Sequence, residues 1–302
     1  MDTDTIALVY RADAISCAVF FWPYFIWPTK EVNKMKKNTL ALCEAGIMIA
    51  LSTVLAMLKL IDMPYGGSVT FAQMLPILIY AYRHGPKYGM GAALVASVIQ
   101  LLLGLENFSY LPLVTWYSII VLALLDYVVA YSAFGIVGFF KKKISYPAAV
   151  MWGALIASVI RYLCHVISGF TAWAAFELPS GAVLAYSFGY NATYMIPETI
   201  VLCAATYYIC SAIDFSKDTP TRARKLAGDG NIALMKLLSG LAVFAAVIVD
   251  TVLIFSKLQD EETGDFILSG LSEVDWISFA VVTVVCLGAA VLFRIADKKT
   301  EK

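Results

Sequence analysis

The chain of 302 residues is short of charge. Asp, Glu, Lys and Arg make up 15% of it, against roughly 25% in soluble domains. It has only two histidines, and its six cysteines (17, 43, 164, 203, 210, 286) show no Cys-x-x-Cys spacing. A disulfide framework and a thiolate metal site are therefore not expected, and the thiols read as free and buried in apolar segments. No GxxxxGK[ST] pattern occurs, which excludes an ATPase of that type within this chain. No basic surface interleaved with aromatics is present to hold a nucleic acid. No motif calls for a cofactor. The formal net charge of zero says nothing about partners, but the distribution of charge does.

What is there is apolar sequence, 61% of the chain. Long uncharged runs separated by short polar loops describe an all-α polytopic membrane protein, since helices satisfy their own backbone groups in lipid. From residue 39 the runs come regularly. Helices are expected at about 39–61, 69–82 (short), 87–104, 113–139, 147–173, 182–212, 232–255 and 275–295. Residues 1–37 stand apart. Their apolar stretch 14–27 is interrupted by Pro23 and is shorter than the roughly 20 residues a span needs. The order of charge, apolar run and small residues does not match a cleaved signal peptide. Met35, followed by two lysines, offers an alternative start.

The loops alternate in sign. One set carries Lys30, Lys34, Lys36 and Lys37, then Arg83 and Lys87, then Lys141 to Lys143, then Lys217, Arg222, Arg224 and Lys225, then Arg294, Lys298, Lys299 and Lys302. The other carries Asp62, Glu106, Glu177, and Asp260, Glu261, Glu262 and Asp265. By the positive-inside rule both termini lie in the cytoplasm of a cell-membrane protein with eight crossings. The loop Met63-Pro64-Tyr65-Gly66-Gly67-Ser68 then faces outward, either closing over a site or simply turning the chain.

Ionisable residues inside such runs are functional candidates by default. Arg161 and His165 are four apart on the fifth expected helix, so they share a side, with Gly169 one turn on. Trp173 lies about 80° round from His165 and borders that face. Two readings fit: a helix-bridging polar pair with an interfacial tryptophan, or a ligand resting over Gly169. Asp126, followed by Tyr127, lies deep in the fourth run. It also reads two ways, as an ion-pair partner of Arg161 or as the carboxylate for a cationic ligand, which aromatic faces would favour. On the first helix, Gly46 and Ala50 form a small face that admits another helix. Asp250 is expected at the outer interface.

These motifs together resemble the thiamine-specific S component of energy-coupling factor (ECF) vitamin transporters. The resemblance covers about 38–213 and is carried by MPYGGSVT (63–70), MLPI (74–77), LLDY (124–127), RYLCHVISG (161–169) with Trp173, YSFGYN (186–191), and Tyr194 to Glu198. It implies a six-helix core with a vitamin site near the outer face, capped by the loop after helix 1, here Tyr65, Gly66 and Gly67. It implies that Asp126 and Asn191 hydrogen-bond an aminopyrimidine, and that His165 and Trp173 stack on the rings, with Tyr127, Gly169 and Tyr186 completing the site. It implies that the Gly46–Ala50 face docks on a coupling transmembrane subunit served by two ATPase subunits. The sequence departs from the family in having Asp126 where some members have Glu. It lacks a loop tryptophan, whose place Tyr65 or Phe71 would take, and it carries additions at both ends.

The expected organisation is an N-terminal extension (1–37), a six-helix binding core (38–213), a cytoplasmic linker (214–231) and a two-helix C-terminal appendage (232–302). The expected function is thiamine capture without covalent chemistry. The alternatives are an S component for another vitamin or a thiamine precursor, an intramembrane enzyme using His165 and Asp126, and a proton-coupled carrier. The enzyme lacks a nucleophile motif, and the carrier lacks a relay of carboxylates.

Overall fold

A computed structural model describes residues 37–63, 67–105, 108, 116–141, 144–173, 180–217, 219–222, 230–258 and 267–300. The chain divides into two compact units at Gly46. Of the first, only the opening turns of helix α1 (Lys37–Met57) are described. The second carries the rest of that helix and the remaining elements.

Seven long helices and one short one are present among the described residues. After α1 come α2 (Leu75–His84), α3 (Pro86–Leu103), a composite α4 (Trp116–Phe140), α5 (Tyr146–Trp173), α6 (Ser180–Ala212), α7 (Gly230–Leu258) and α8 (Trp276–Thr300). Seven have the length and apolar character to cross a membrane. The exception is α2, whose ten residues extend about 15 Å, half of the roughly 30 Å hydrocarbon core. The expected helix at 69–82 is therefore corrected. Residues 68–70 are strand β2, paired antiparallel with β1 (Lys59–Asp62). Ala72 then takes a left-handed φ of 52°, and Pro76 sits in the first turn of α2, where its missing N–H costs nothing. The expected helix at 39–61 ends at Met57 for the same reason, because its last residues pair in the hairpin. The head of α2 still lies well down α1: Ser52 Oγ donates to the Gln73 carbonyl at 2.8 Å.

The fourth helix is irregular where it matters. Ala123–Val129 is π-helical and Ala133–Phe140 is a 3-10 helix. In the 3-10 stretch, residues three apart eclipse, which aligns Gly135 and Gly138. A Cβ on Gly135 would come within 2.5 Å of the Met90 backbone, and one on Gly138 within 2.4 Å of Pro86. These two glycines let α3 lie directly against α4.

At one end of the bundle three basic loops meet. Arg83 Nη1 donates to the carbonyls of Phe215 and of Lys217, the latter at 2.7 Å, while Lys141 Nζ donates to the carbonyl of Arg83. The same end holds a second small ribbon, β3 (Ile213–Asp214) with β4 (Thr221–Arg222). Two hydrogen bonds tie the last two helices to α6 through one hydroxyl: Tyr208 lies 3.0 Å from Ser239 Oγ, which donates to the Ala290 carbonyl at 3.0 Å. Asp250 links α7 to α8: its Oδ2 accepts from Thr283 Oγ1 at 2.6 Å. Asp275 begins α8, accepting the N–H groups of Ile277 and Ser278 at 3.1 Å. The Ser278 hydroxyl and those amides hold its carboxyl below the ordinary carboxylate range. The described cysteines are unpaired, but Cys43 is exposed and Cys203 and Cys286 are half-buried, against the expectation that all are buried.

Candidate functional site

The end opposite the basic loops opens into a cavity of about 250 Å³, just under the usual small-molecule range of about 300–1,000 Å³. Its walls come from the top of α1, the hairpin, α3, α4, α5 and α6. On α5 the lining residues are Arg161, His165, Ser168, Gly169 and Ala172, spaced i, i+4, i+7, i+8 and i+11 along one helical stripe. On α6 Tyr190, Asn191 and Tyr194 repeat the pattern. On α4 the lining residues are Leu122, Asp126, Tyr127 and Tyr131. In a regular α-helix Leu122 and Tyr131, nine residues apart, would point about half a turn away from each other. The wider i→i+5 turns of the π-helical stretch absorb the difference. That irregularity turns both Asp126 and Tyr131 to the same cavity.

Two polar clusters lie along it. In the upper one, the Asp126 carboxylate accepts from Ser168 Oγ and stands 3.6 Å from His165 Nδ1. His165 Nδ1 also lies 3.1 Å from the Arg161 carbonyl. In the lower one, Arg161 Nη1 meets Glu198 Oε2 at 2.6 Å, with both side chains buried. The other carboxylate oxygen of Glu198 accepts from Thr70 Oγ1 at 2.6 Å and from Gln73 Nε2 at 3.3 Å. The guanidinium lies 4.9 Å over the Tyr131 ring. Arginine and glutamate cancel in charge, and among the described lining residues Asp126 is the acidic one, with Lys59 on the hairpin wall. Aromatic faces line up beside Asp126, Tyr127 stacking between Phe108 at 6.3 Å and Tyr131 at 6.4 Å. A carboxylate flanked by aromatic faces suits a flat cation.

The structure brings Asp126, Tyr127, His165, Gly169 and Asn191 to one cavity, with Gly67 at its hairpin wall. Asn191 is already engaged: its amide donates to the Ser187 carbonyl at 2.9 Å and its oxygen accepts from Tyr194 at 2.7 Å. Tyr186 stands one turn away, its ring parallel to that of the cavity-lining Tyr190 at 6.5 Å. Tyr65 and Gly66 lie outside the described residues. Trp173 closes α5, and its side chain also lies outside them. Phe71 is turned to α7, edge-on to Phe244 at 5.6 Å. The Asp126–Arg161 ion pair is overturned, because Arg161 is taken by Glu198 and Asp126 by Ser168.

Residues 42–216, more than half of the chain, match the family described as thiamine transporter protein (Thia_YuaJ). The chain belongs to the thiamine transporter protein family. Within this family, the thiamine transporter ThiT of Bacillus subtilis (strain 168) is 34% identical over 180 residues, 56% of this chain and 88% of its own length. A solved structure of ThiT from Listeria monocytogenes is 19% identical with a TM-score of 0.43, over 57% of this chain and 95% of that one. Every cavity-lining residue falls inside the thiamine transporter match, whereas α7 and α8 lie beyond it.

Gln73, Gln100 and Tyr131 line the cavity without having stood out in the sequence, and Ser168, Tyr190 and Tyr194 stood in quoted motifs without a role. Glu198, the partner of Arg161, was quoted in a motif without a role. The signal for it was a second ionisable residue within an apolar helix, beside Pro197.

Proposed function

We propose that this protein is the thiamine-binding S component of an ATP-driven ECF-type uptake transporter. It captures the vitamin on the outer face and performs no covalent chemistry. The observation that carries this reading is the cavity: an acidic residue, an imidazole and stacked tyrosines enclose about 250 Å³ inside the family-matched region. Asp126 offsets the charge of the thiazolium and accepts from the aminopyrimidine together with Asn191. His165, Tyr127 and Trp173 supply faces for the rings, Gly169 leaves them room, and Tyr186 backs Tyr190. Tyr65, Gly66 and Gly67 form the lid loop.

The orientation follows from charge. The convergence of Arg83, Lys141 and the Lys217 turn at one end supports a cytoplasmic face there, so the cavity opens outward. Strand β2, the turn at Ala72 and short α2 together make the second crossing, which keeps both termini on the cytoplasmic side of a cell membrane. The binding core is 38–213, the linker 214–231 and the C-terminal addition 232–302, with 1–37 an N-terminal extension. Gly46 and Ala50 are exposed, and a Cβ on Gly46 meets open space. This supports their face as the docking surface for the coupling subunit and its two ATPases.

The test is quenching of intrinsic tryptophan fluorescence by thiamine in purified protein. Saturable quenching is expected, weakened about ten- to a hundredfold by Asp126→Ala and by His165→Ala, as loss of a charged hydrogen bond or a ring contact implies. Folded protein that thiamine does not quench, or variants that bind as the parent does, would overturn the assignment.

A further inference from the structure

The β1–β2 hairpin has two unlike faces, and its register makes them so. Lys59 stands opposite Thr70 and Ile61 opposite Val69, with a bulge between Lys59 and Ile61. In an unbroken ladder Lys59 and Ile61 would share a face; the extra residue reverses the alternation. Lys59, Ser68 and Thr70 therefore line the cavity. Ile61 and Val69 turn the other way, into a cluster formed with Met63, Val183 of α6 and Leu258 of α7. Leu258 is 1% exposed and Val69 0%. Ile254 and Phe255 of α7 pack on the same cluster, and Phe244 meets Phe71 edge-on just past β2.

A two-stranded ribbon of this length is not stable alone; it needs both faces covered. On the cavity side, Gly67 is pressed against the rings of Tyr190 and Tyr194, where an added Cβ would stand 3.0 Å from Tyr194, and Thr70 is bonded to Glu198. On the other side the cover includes α7, outside the family-matched residues. The helix is itself fixed to α6 and α8 through Ser239.

We propose that α7 is the outer seat of the binding site. Leu258, assisted by Phe244, holds the hairpin against the cavity and so sets how fast the ligand leaves. Both are positioning residues, since neither lines the cavity. The proposal rests on the reading of the cavity as the thiamine site.

The test uses the full chain in lipid nanodiscs, comparing Leu258→Ala and the milder Phe244→Leu with Val284→Ala on the exposed side of α8. Without ligand, Leu258→Ala should speed amide hydrogen exchange at residues 61–63 and 67–71 by about tenfold while α5 is unchanged. With thiamine, dissociation should quicken on the order of tenfold and association stay within about twofold. Leu258→Met should restore the parental rate, and Val284→Ala should move neither readout. Unchanged hairpin exchange, or exchange rising equally through α5 and α6, would overturn the seat. A parent chain that does not bind thiamine would fell the proposed function instead, and the exchange measurement would still decide the role of α7.

Discussion

The two polar clusters on α5 lie one turn apart and follow opposite plans. At Arg161 a guanidinium, a carboxylate, an amide, two hydroxyls and a ring face close on one another. At Asp126 a single serine hydroxyl and a nearby imidazole hold a carboxylate that still looks into the cavity. The first is a joint between α4, α5, α6 and the hairpin, and the second is a socket. In a membrane, where water cannot replace a lost partner, the difference decides which residues govern folding and which govern ligand.

The sharpest way to break this comparison is to remove one member of the joint. Arg161→Met leaves the buried Glu198 carboxylate without its counter-charge, so a loss of roughly 3–5 kcal/mol of stability is expected. Thermal unfolding in detergent reads it, and Arg161→Met with Glu198→Leu should recover most of the loss. If the single variant melts as the parent does, the joint is no joint. Less is expected at the socket. Ser168→Ala withdraws the hydroxyl from Asp126, which should weaken thiamine binding up to about tenfold with little change in melting. A melting loss as large as that of Arg161→Met would erase the distinction. The smallest effect belongs to the C-terminal pair. Thr283→Val removes one bond to Asp250 and should cost about 1 kcal/mol, leaving thiamine affinity unchanged by fluorescence titration.

The membrane helices were legible because lipid demands long apolar runs; α3 to α8 fall within a few residues of expectation. The hairpin was not, because strands of four and three residues inside an apolar stretch carry no period that separates them from helix. Asp126 and His165 stood out as costly groups in apolar helices. Arg161 stood out with them, but its partner did not: Glu198 lies 37 residues on, and only packing shows that one answers the other. Tyr131 was hidden differently, since regular helical geometry turns it away from Leu122.

That same stretch has a consequence for comparing this chain with its relatives. A π-helical segment fits more residues into a given height than a regular helix does, so α4 behaves as if it carried a small insertion at the level of Asp126. Were the same residues wound as an ordinary α-helix, with none removed, everything after Val129 would be rotated by about 100°. Gly135 and Gly138 would leave the surface of α3, and Tyr131 would leave the cavity. A relative with a regular fourth helix would thus match this one before the segment or after it, but not through it without a gap.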